Sequence, residues 1–303
     1  MKNYTKRLVI LFVLLFNLIF ITSCSNPKKG IKTIKDKNYE LKIAEQQKAV
    51  LILYPCFPCD LENTKSEASF LKDIEKEGIT TLLLNRNQKL FLNDAEKMEF
   101  AKELNTILDA NHVEKKNVFI GGFSGGGNIS ILLSNYLLKT KNQIQPKGVF
   151  AVDSPIDLEK LYSNAKKDIS RNIYQEGVEE ARYIIAMLEK DLGKPDDNKE
   201  KYAMLSPFLL SVNSTNNITI LKDVKTRFYY ELDLKNQLEK TGRKYDELNA
   251  YQLEKFHEVL TNMGAKNSNL IVTKNRGYRA DGSKNTHTWN LVERESLVKW
   301  MLN

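Results

Sequence analysis

Histidine and cysteine are scarce in this chain of 303 residues, which contains three of each. Zinc sites in proteins usually take four such ligands at short and regular spacings. Cys56 and Cys59 form a close pair, but two further ligands are missing at a suitable short spacing. The sequence therefore predicts no metal site. Internal repeats and low-complexity tracts are also lacking, which excludes solenoid and array architectures.

A concentrated basic face is missing as well. The formal net charge is +8, and three of the basic residues lie among the first seven positions, which leaves a charge near +5 for the rest. Lysines alternate with acids, as in residues 72–77, instead of clustering between aromatic side chains. Nucleic-acid binding needs such a cluster, so nucleic acid is not predicted as a partner.

The N-terminus carries an export signal. Basic residues precede an apolar stretch over 8–21 that is broken only by Asn17. This stretch is too short to cross about 30 Å of hydrocarbon comfortably as a membrane span. It runs into Ile21-Thr22-Ser23-Cys24, which resembles a bacterial lipobox. The sequence predicts cleavage before Cys24, acylation of this cysteine, and an exported protein anchored to a membrane at the periplasmic face or the cell surface.

Three segments follow from this interpretation. Residues 1–23 are the predicted signal peptide, and residues 24–30 are polar with Pro27 and Gly30, which suits a tether. Residues 31–303 are long enough for one large α/β domain.

Within this domain, apolar runs of strand length alternate with amphipathic helical stretches. This order predicts a mostly parallel central sheet with helices on both faces. The predicted strands are Ala49–Tyr54, Ile79–Leu84, Asn117–Gly121, Gly148–Val152, Arg227–Leu232 and Leu270–Thr273.

Helical periodicity fills the segments between these strands. The predicted helices are Glu67–Glu77, Ala95–Leu108, a helix from Asn128 onward, Glu176–Leu192 and a closing helix Leu291–Leu302. The stretch at about 157–223 is longer than a simple crossover needs, and it is predicted to be a helical cap insertion that shapes a substrate pocket.

Ser124 lies between a predicted strand and a predicted helix, in the run Gly121-Gly122-Phe123-Ser124-Gly125-Gly126-Gly127. A Gly-x-Ser-x-Gly turn in this context forces the serine into a strained conformation and exposes its hydroxyl. The following helix directs its N-terminus at the same place, so the N–H of Gly125 could stabilise an oxyanion. The pattern predicts a nucleophilic serine.

Glycine-rich turns before helices also bind phosphates, and some are only tight turns. A P-loop requires Lys followed by Ser or Thr after its last glycine, whereas this chain has Gly127-Asn128-Ile129. A dinucleotide loop usually follows the first strand of its fold, and this turn follows at least two earlier strand–helix units. A purely structural turn remains an alternative.

A nucleophilic serine needs a histidine as base and an acid to orient the ring. In this architecture both follow the serine in the chain, which excludes His112. His257 lies in a helical segment and is better explained as a residue on the side of that helix. His287 lies in a polar loop before the closing helix and is the predicted base.

The acid is predicted from its place after a strand. Asp233 directly follows the strand that precedes the strand before His287, and it is the preferred candidate. Asp153, at the end of the strand after the Ser124 helix, is the main rival. Glu231 and Asp281 are weaker candidates.

A second oxyanion donor is expected in the loop Pro55-Cys56-Phe57-Pro58-Cys59, which follows the strand Ala49–Tyr54. Proline has no N–H to donate. The N–H of Cys56 or of Phe57 therefore remains, and Phe57 is preferred. Cys56 and Cys59 could also form a disulfide.

The elbow Gly122-Phe-Ser124-Gly-Gly126, the late acid and His287 together resemble the α/β-hydrolase superfamily over roughly Ala49 to Asn303. The resemblance implies hydrolysis of an ester or other acyl bond through an acyl-enzyme, a small-molecule or acylated substrate, and no metal or organic cofactor. In one respect the chain departs from the family: Pro55-Cys56 replaces the familiar His-Gly pair of the oxyanion loop.

Two other functions remain open. Cys56-Phe-Pro-Cys59 after a buried strand resembles the redox motif of thioredoxin-like proteins. Such proteins place a cis-proline opposite the disulfide, yet no proline lies between Pro58 and Pro146. A structural disulfide is therefore favoured over a redox pair. The second alternative is a binding lipoprotein that keeps the hydrolase fold without catalysis.

Overall fold

The structure is a computed structural model that describes residues 30–85 and 89–303. The predicted signal peptide, Cys24 and residues 24–29 of the predicted tether lie outside these ranges. Within them, no helix combines the length and the apolar character that crossing a membrane requires.

The centre of the molecule is an eight-stranded sheet with the strand order β1-β2-β4-β3-β5-β6-β7-β8. Strands β1 and β2 pair antiparallel, as do β2 and β4, while all other neighbours run parallel. This confirms the predicted mostly parallel sheet. The strands are β1 Lys32–Lys35, β2 Tyr39–Ile43, β3 Ala49–Tyr54, β4 Ile79–Leu84, β5 Val118–Phe123, β6 Pro146–Val152, β7 Lys225–Glu231 and β8 Ser268–Thr273.

Helices pack around the sheet. They are α1 Leu61–Glu67, α2 Asp94–Ala110, α3 Gly125–Lys139, α4 Leu158–Arg171, α5 Gln175–Leu192, α6 Lys199–Leu205, α7 Leu234–Thr241, α8 Asn249–Asn262 and α9 Arg294–Leu302. The segment predicted as a cap, about 157–223, contains α4, α5 and α6.

Alternate residues of the strands pack into different cores, because successive side chains of a strand point to opposite faces. In β3, Leu51 and Leu53 join a cluster with Trp300 of α9. Val50 and Ile52 instead join a cluster with residues of α2 and α3. The sheet is therefore covered on both faces, which explains why β3 is an unbroken apolar run. β4 is buried throughout as well, and it is apolar except for Thr80 and Thr81.

Two features depart from the sequence-based expectations. The short strands β1 and β2, at one side of the sheet, mix lysines and an acid with apolar residues, and they were not predicted. The predicted helix Glu67–Glu77 is wrong: α1 ends at Glu67, and two separate 3-10 turns follow at Ser69–Leu71 and Ile74–Glu77. Between the two turns, Asp73 has φ 60°, a left-handed conformation that ends the helical backbone.

Charged residues of α4 bind the loop between α7 and α8. Arg243 Nε donates a bifurcated hydrogen bond to the two carboxylate oxygens of Asp168, at 3.2 and 3.1 Å. Three residues further along α4, Arg171 Nη2 donates to both oxygens of Glu247 at 2.8 and 2.7 Å. Lys167 Nζ donates to the same carboxylate at 2.7 Å.

Glu247 is the centre of this cluster, and its side chain is only 3% exposed. Burial by itself raises the pKa of this carboxyl. The hydrogen bonds from Lys167, the Lys244 backbone and Arg171 outweigh burial and lower the pKa to about 2, from 4.5. The ionised form of Glu247 is therefore more stable in the folded protein than in the unfolded chain, and this difference stabilises the fold.

We expect Glu247→Gln to lower the free energy of unfolding at pH 7 by about 3 kcal/mol, because two buried or half-buried cations lose their shared counter-ion. The wild type loses this contribution as the pH falls from about 4.5 toward 2, so the difference between the two proteins should shrink there. Urea unfolding across this pH range measures it.

Glu258→Gln is the matched control, because Glu258 is an exposed acid of α8 that pairs with Lys255. Its loss should change the unfolding free energy by less than about 0.5 kcal/mol. Equal and small effects of both substitutions would contradict the role given to Glu247.

Candidate active site

Ser124 occupies a strained turn between β5 and α3. Its backbone has φ 54° and ψ −124°, a conformation that side-chain-bearing residues rarely adopt. The Ser124 N–H donates to the Val152 carbonyl oxygen at 2.9 Å, which fixes the turn to the end of β6. Ser124 lies at the carboxyl edge of the parallel strands, where ligands bind in open α/β sheets.

The glycines beside Ser124 are required by close backbone contacts. A Cβ on Gly122 would lie 2.1 Å from the carbonyl group of Gly126. A Cβ on Gly126 would lie 2.3 Å from the carbonyl oxygen of Pro55. Any side chain at either position would collide with main chain that has no room to move. The start of α3 therefore packs directly on the loop that follows β3.

His287 meets an acid at this edge of the sheet. It follows β8 in a long loop, and its Nδ1 lies 2.6 Å from Asp153 Oδ2. Its ring packs on Phe123, with 4.5 Å between ring centroids. Asp153 is the first residue after β6, and its main chain is held on both sides: its N–H donates to Tyr229 at 2.8 Å, and its carbonyl oxygen accepts from Asn249 Nδ2 at 2.9 Å.

The predicted contact between Asp233 and His287 is wrong. Asp233 instead caps α7 through a hydrogen bond from the Asn236 N–H at 3.2 Å, and it forms an ion pair with Lys284. The hydrogen bond from Lys284 lowers the pKa of Asp233. Strand order explains the difference. β6 is the direct neighbour of β5, whereas β7 is one strand further away, so Asp153 lies nearer to the Ser124 turn.

The other candidates from the sequence lie in different surroundings. Asp281 is exposed and accepts from the Ser283 N–H at 2.8 Å. His257, on α8, lies 2.9 Å from Ser268 Oγ through its Nδ1, and burial lowers its pKa. His112 directly follows the residue that caps the end of α2.

Glu231 supports the loop that carries His287. Its carboxylate accepts the N–H groups of Arg276 and Gly277 at 2.8 and 3.1 Å. The Gly277 carbonyl oxygen in turn accepts the Asn285 N–H at 2.9 Å, and Asn285 Oδ1 accepts the His287 N–H at 2.9 Å. The sequence placed Glu231 among the candidate acids. The structure places it at the base of a chain of contacts that ends at His287.

The two predicted oxyanion donors belong to segments that lie side by side. Gly125 is the first residue of α3, where helix N–H groups are unpaired and the helix dipole favours negative charge. A Cβ built on Gly125 would lie 3.0 Å from the Cβ of Phe57. Cys56 and Cys59, which enclose Phe57, form a disulfide, and the Cys59 N–H donates to the Cys56 carbonyl oxygen at 2.8 Å.

Ser124, Asp153 and His287 line one cavity of about 530 Å³, together with Phe57. This volume suits a small organic substrate. No group of three or more histidine, cysteine, aspartate or glutamate residues in the ranges 30–85 and 89–303 is placed to hold a metal ion.

No protein-family model and no curated protein matches this sequence. Among solved structures, the chain is similar to carboxyl esterase 2 from the fungus Tuber melanosporum, with 14% identity, 91% of this chain and 86% of that chain covered, and a TM-score of 0.56. An esterase/lipase from an uncultured bacterium is also similar, with 15% identity, 90% of this chain and 83% of that chain covered, and a TM-score of 0.52. An esterase of the bacterial hormone-sensitive lipase family is similar with 10% identity, 90% of this chain and 83% of that chain covered, and a TM-score of 0.53. At these identities the likeness shows the fold, and the chain has the α/β-hydrolase fold.

Exchanging each acid in turn tests which carboxylate orients His287. Asp153→Asn should slow the reaction of Ser124 with a fluorophosphonate by about a hundredfold or more, because the base loses its oriented tautomer. Asp233→Asn should change the rate by less than about threefold, since asparagine caps a helix equally well. Stopped-flow or gel-based labelling gives both rates. A larger loss in Asp233→Asn than in Asp153→Asn would restore Asp233 as the acid.

Proposed function

We propose that this protein is a serine hydrolase that cleaves an ester, or a similar acyl bond, through an acyl-enzyme. Ser124 is the nucleophile, His287 the base and Asp153 the orienting acid. One observation carries the proposal: the 2.6 Å contact between His287 and Asp153 occurs in the same cavity as a serine on a strained strand-to-helix turn. A histidine held by a carboxylate at Nδ1 has Nε2 free to accept a proton.

In the proposed reaction, Ser124 Oγ attacks the acyl carbon while its proton passes to His287 Nε2. The carbonyl oxygen becomes an oxyanion, which the N–H groups of Gly125 and Phe57 would stabilise. The bond to the leaving group then breaks, and His287 donates the proton to the departing oxygen or nitrogen. Water, deprotonated by His287, cleaves the acyl-enzyme and regenerates Ser124.

The comparisons support this proposal at the level of fold, because the similar structures named above are described as esterases or lipases. The thioredoxin-like alternative is not supported. Cys56 and Cys59 follow β3 of an α/β-hydrolase fold, and Phe57 between them lines the Ser124 cavity. Their disulfide therefore constrains the proposed oxyanion loop. A non-catalytic binding protein of the same fold is the remaining alternative.

Covalent labelling separates the enzyme from a binding protein. We expect the wild type to react with a fluorophosphonate probe and to hydrolyse short-chain aryl esters, and Ser124→Ala to do neither. Ser134→Ala is the matched control, because Ser134 is buried on the same helix α3 and its hydroxyl has no hydrogen-bond partner in the described part of the chain.

Folded wild-type protein that stays unlabelled would exclude the serine mechanism. Ester hydrolysis that survives Ser124→Ala but is lost in Cys56→Ser would show that the reaction depends on the cysteine pair and would favour the redox alternative.

We further propose that the protein is exported and anchored to a membrane through acylated Cys24, because its leader resembles a bacterial lipobox. Cells grown with a clickable palmitate analogue should yield a labelled protein in the membrane fraction, and Cys24→Ser should abolish the label. Cys59→Ser is a control substitution that should leave it unchanged. A label that persists in Cys24→Ser would show that the anchor has been assigned wrongly.

A further inference from the structure

The cavity has two unlike walls. One is apolar and comes from the loop after β3, the segment before α2 and the cap helix α5; Phe57, Leu90 and Ile184 represent these three elements, and all are buried. The other wall is polar and comes from α7 and from the loop that ends at His287. Gln237 Nε2 of α7 donates to Thr286 Oγ1 at 3.3 Å, which joins the two parts of the polar wall.

The chemistry of acyl transfer assigns each half of a substrate to one wall, and this inference rests on the proposed function. The protonated histidine donates its proton to the leaving group, so the leaving group must lie beside His287. Residues next to His287 belong to the polar wall. The carbonyl oxygen is directed at the oxyanion donors, and the acyl chain is left with the apolar wall of Phe57 and Leu90.

The polar wall carries positive charge. The cavity-lining residues of α7, of the loop at Arg243 and of the segment 284–287 include no acid. Lys284 is neutralised by Asp233, and Arg243 by Asp168. Lys240, which is exposed on the cavity face of α7, has no ion-pair partner in the described ranges of the chain.

The acids that line the cavity lie elsewhere and act on other groups. Asp153 binds His287, and Glu231 accepts backbone N–H groups. Glu180 is an exposed residue of α5, on a different element from the polar wall, and it attracts Arg243. Burial lowers the pKa of this guanidinium, but the carboxylates of Asp168, Glu180 and Glu247 outweigh burial and raise it. Asp233 attracts Lys240 as well as Lys284, so one acid faces two cations of the polar wall. This wall therefore keeps an excess positive charge, which Lys240 carries without a direct ion pair in the described ranges.

We propose that the substrate is an ester of an apolar acyl group with an alcohol that carries an anionic group, and that Lys240 binds this anion. Ser124 Oγ forms the new ester bond to the acyl carbon, and the bond from that carbon to the alcohol oxygen breaks. The proton of Ser124 reaches this oxygen through His287. The alcohol then leaves with its anionic group still attached.

A matched pair of esters tests the proposal. The butyrate ester of 4-hydroxybenzoate has an anionic leaving group, and the butyrate ester of 4-hydroxybenzamide has a neutral one of nearly equal size. We expect the wild type to prefer the anionic ester in kcat/KM by about fivefold, the scale of a partly exposed ion pair. Added salt should reduce this preference. A third ester, with a phosphate replacing the carboxylate, shows which of the two anions Lys240 favours.

Two substitutions on α7 make the test specific. Lys240→Gln should bring the ratio of anionic to neutral ester close to one. Lys235→Gln removes the same charge from the same helix, but Lys235 is 83% exposed and does not line the cavity, so the wild-type ratio should persist. Salt and intrinsic ester reactivity affect all three proteins alike.

A ratio of one in the wild type, or a preference that Lys240→Gln and Lys235→Gln retain equally, would overturn the proposal. So would failure to hydrolyse either ester in a protein whose Ser124 still reacts with a fluorophosphonate. Failure of the proposed function itself gives a different result, because neither ester is hydrolysed and Ser124 stays unlabelled.

Discussion

Backbone contact between the Ser124 turn and the loop after β3 is the constraint on which the candidate site depends. Gly126 touches the carbonyl oxygen of Pro55 so closely that no side chain fits between them. This contact brings the N-terminus of α3 beside Phe57, so that two segments distant in sequence can face one oxyanion. Ser124 accepts a strained backbone because the sheet on one side and the helix on the other fix both ends of the turn.

The remaining groups are placed by the parallel sheet. Asp153 follows β6, and His287 comes from the loop after β8, so the imidazole reaches past the end of β7 to meet its acid. Glu231 stands at that intervening strand end, where it binds the backbone of the histidine loop. Adjacent strand ends therefore contribute different tasks to one site, the acid from β6 and the support of the loop from β7.

The sequence predicted the interior of this fold well and its periphery less well. The bounds of β3 and β4 match the predicted strands residue for residue. A strand buried on both faces favours a continuous apolar sequence, which β3 has and which only Thr80 and Thr81 interrupt in β4. The strands β1 and β2, the last two at one side of the sheet, are only partly buried, and their mixed composition resembles a loop. The apolar residues of the two 3-10 turns after α1 have the spacing of an α-helix. The left-handed backbone at Asp73 is what separates them from one.

In the candidate site, the positions of Ser124 and His287 could be predicted from local features: a glycine-rich turn between a strand and a helix, and a polar loop before the last helix. The carboxylate that contacts His287 could not, because Asp153 and Asp233 each directly follow a predicted strand. The choice between them depends on which strand lies beside β5, and strand order in a sheet is set by long-range packing. The polar wall of α7 was missed for the same reason.

The structure of the protein after reaction with a fluorophosphonate tests the central claim most directly. We expect phosphorus bonded to Ser124 Oγ, a phosphoryl oxygen that accepts the N–H groups of Gly125 and Phe57, and His287 bound to Asp153 through Nδ1. Phosphorus on another residue, or a phosphoryl oxygen directed away from the Phe57 loop, would contradict it.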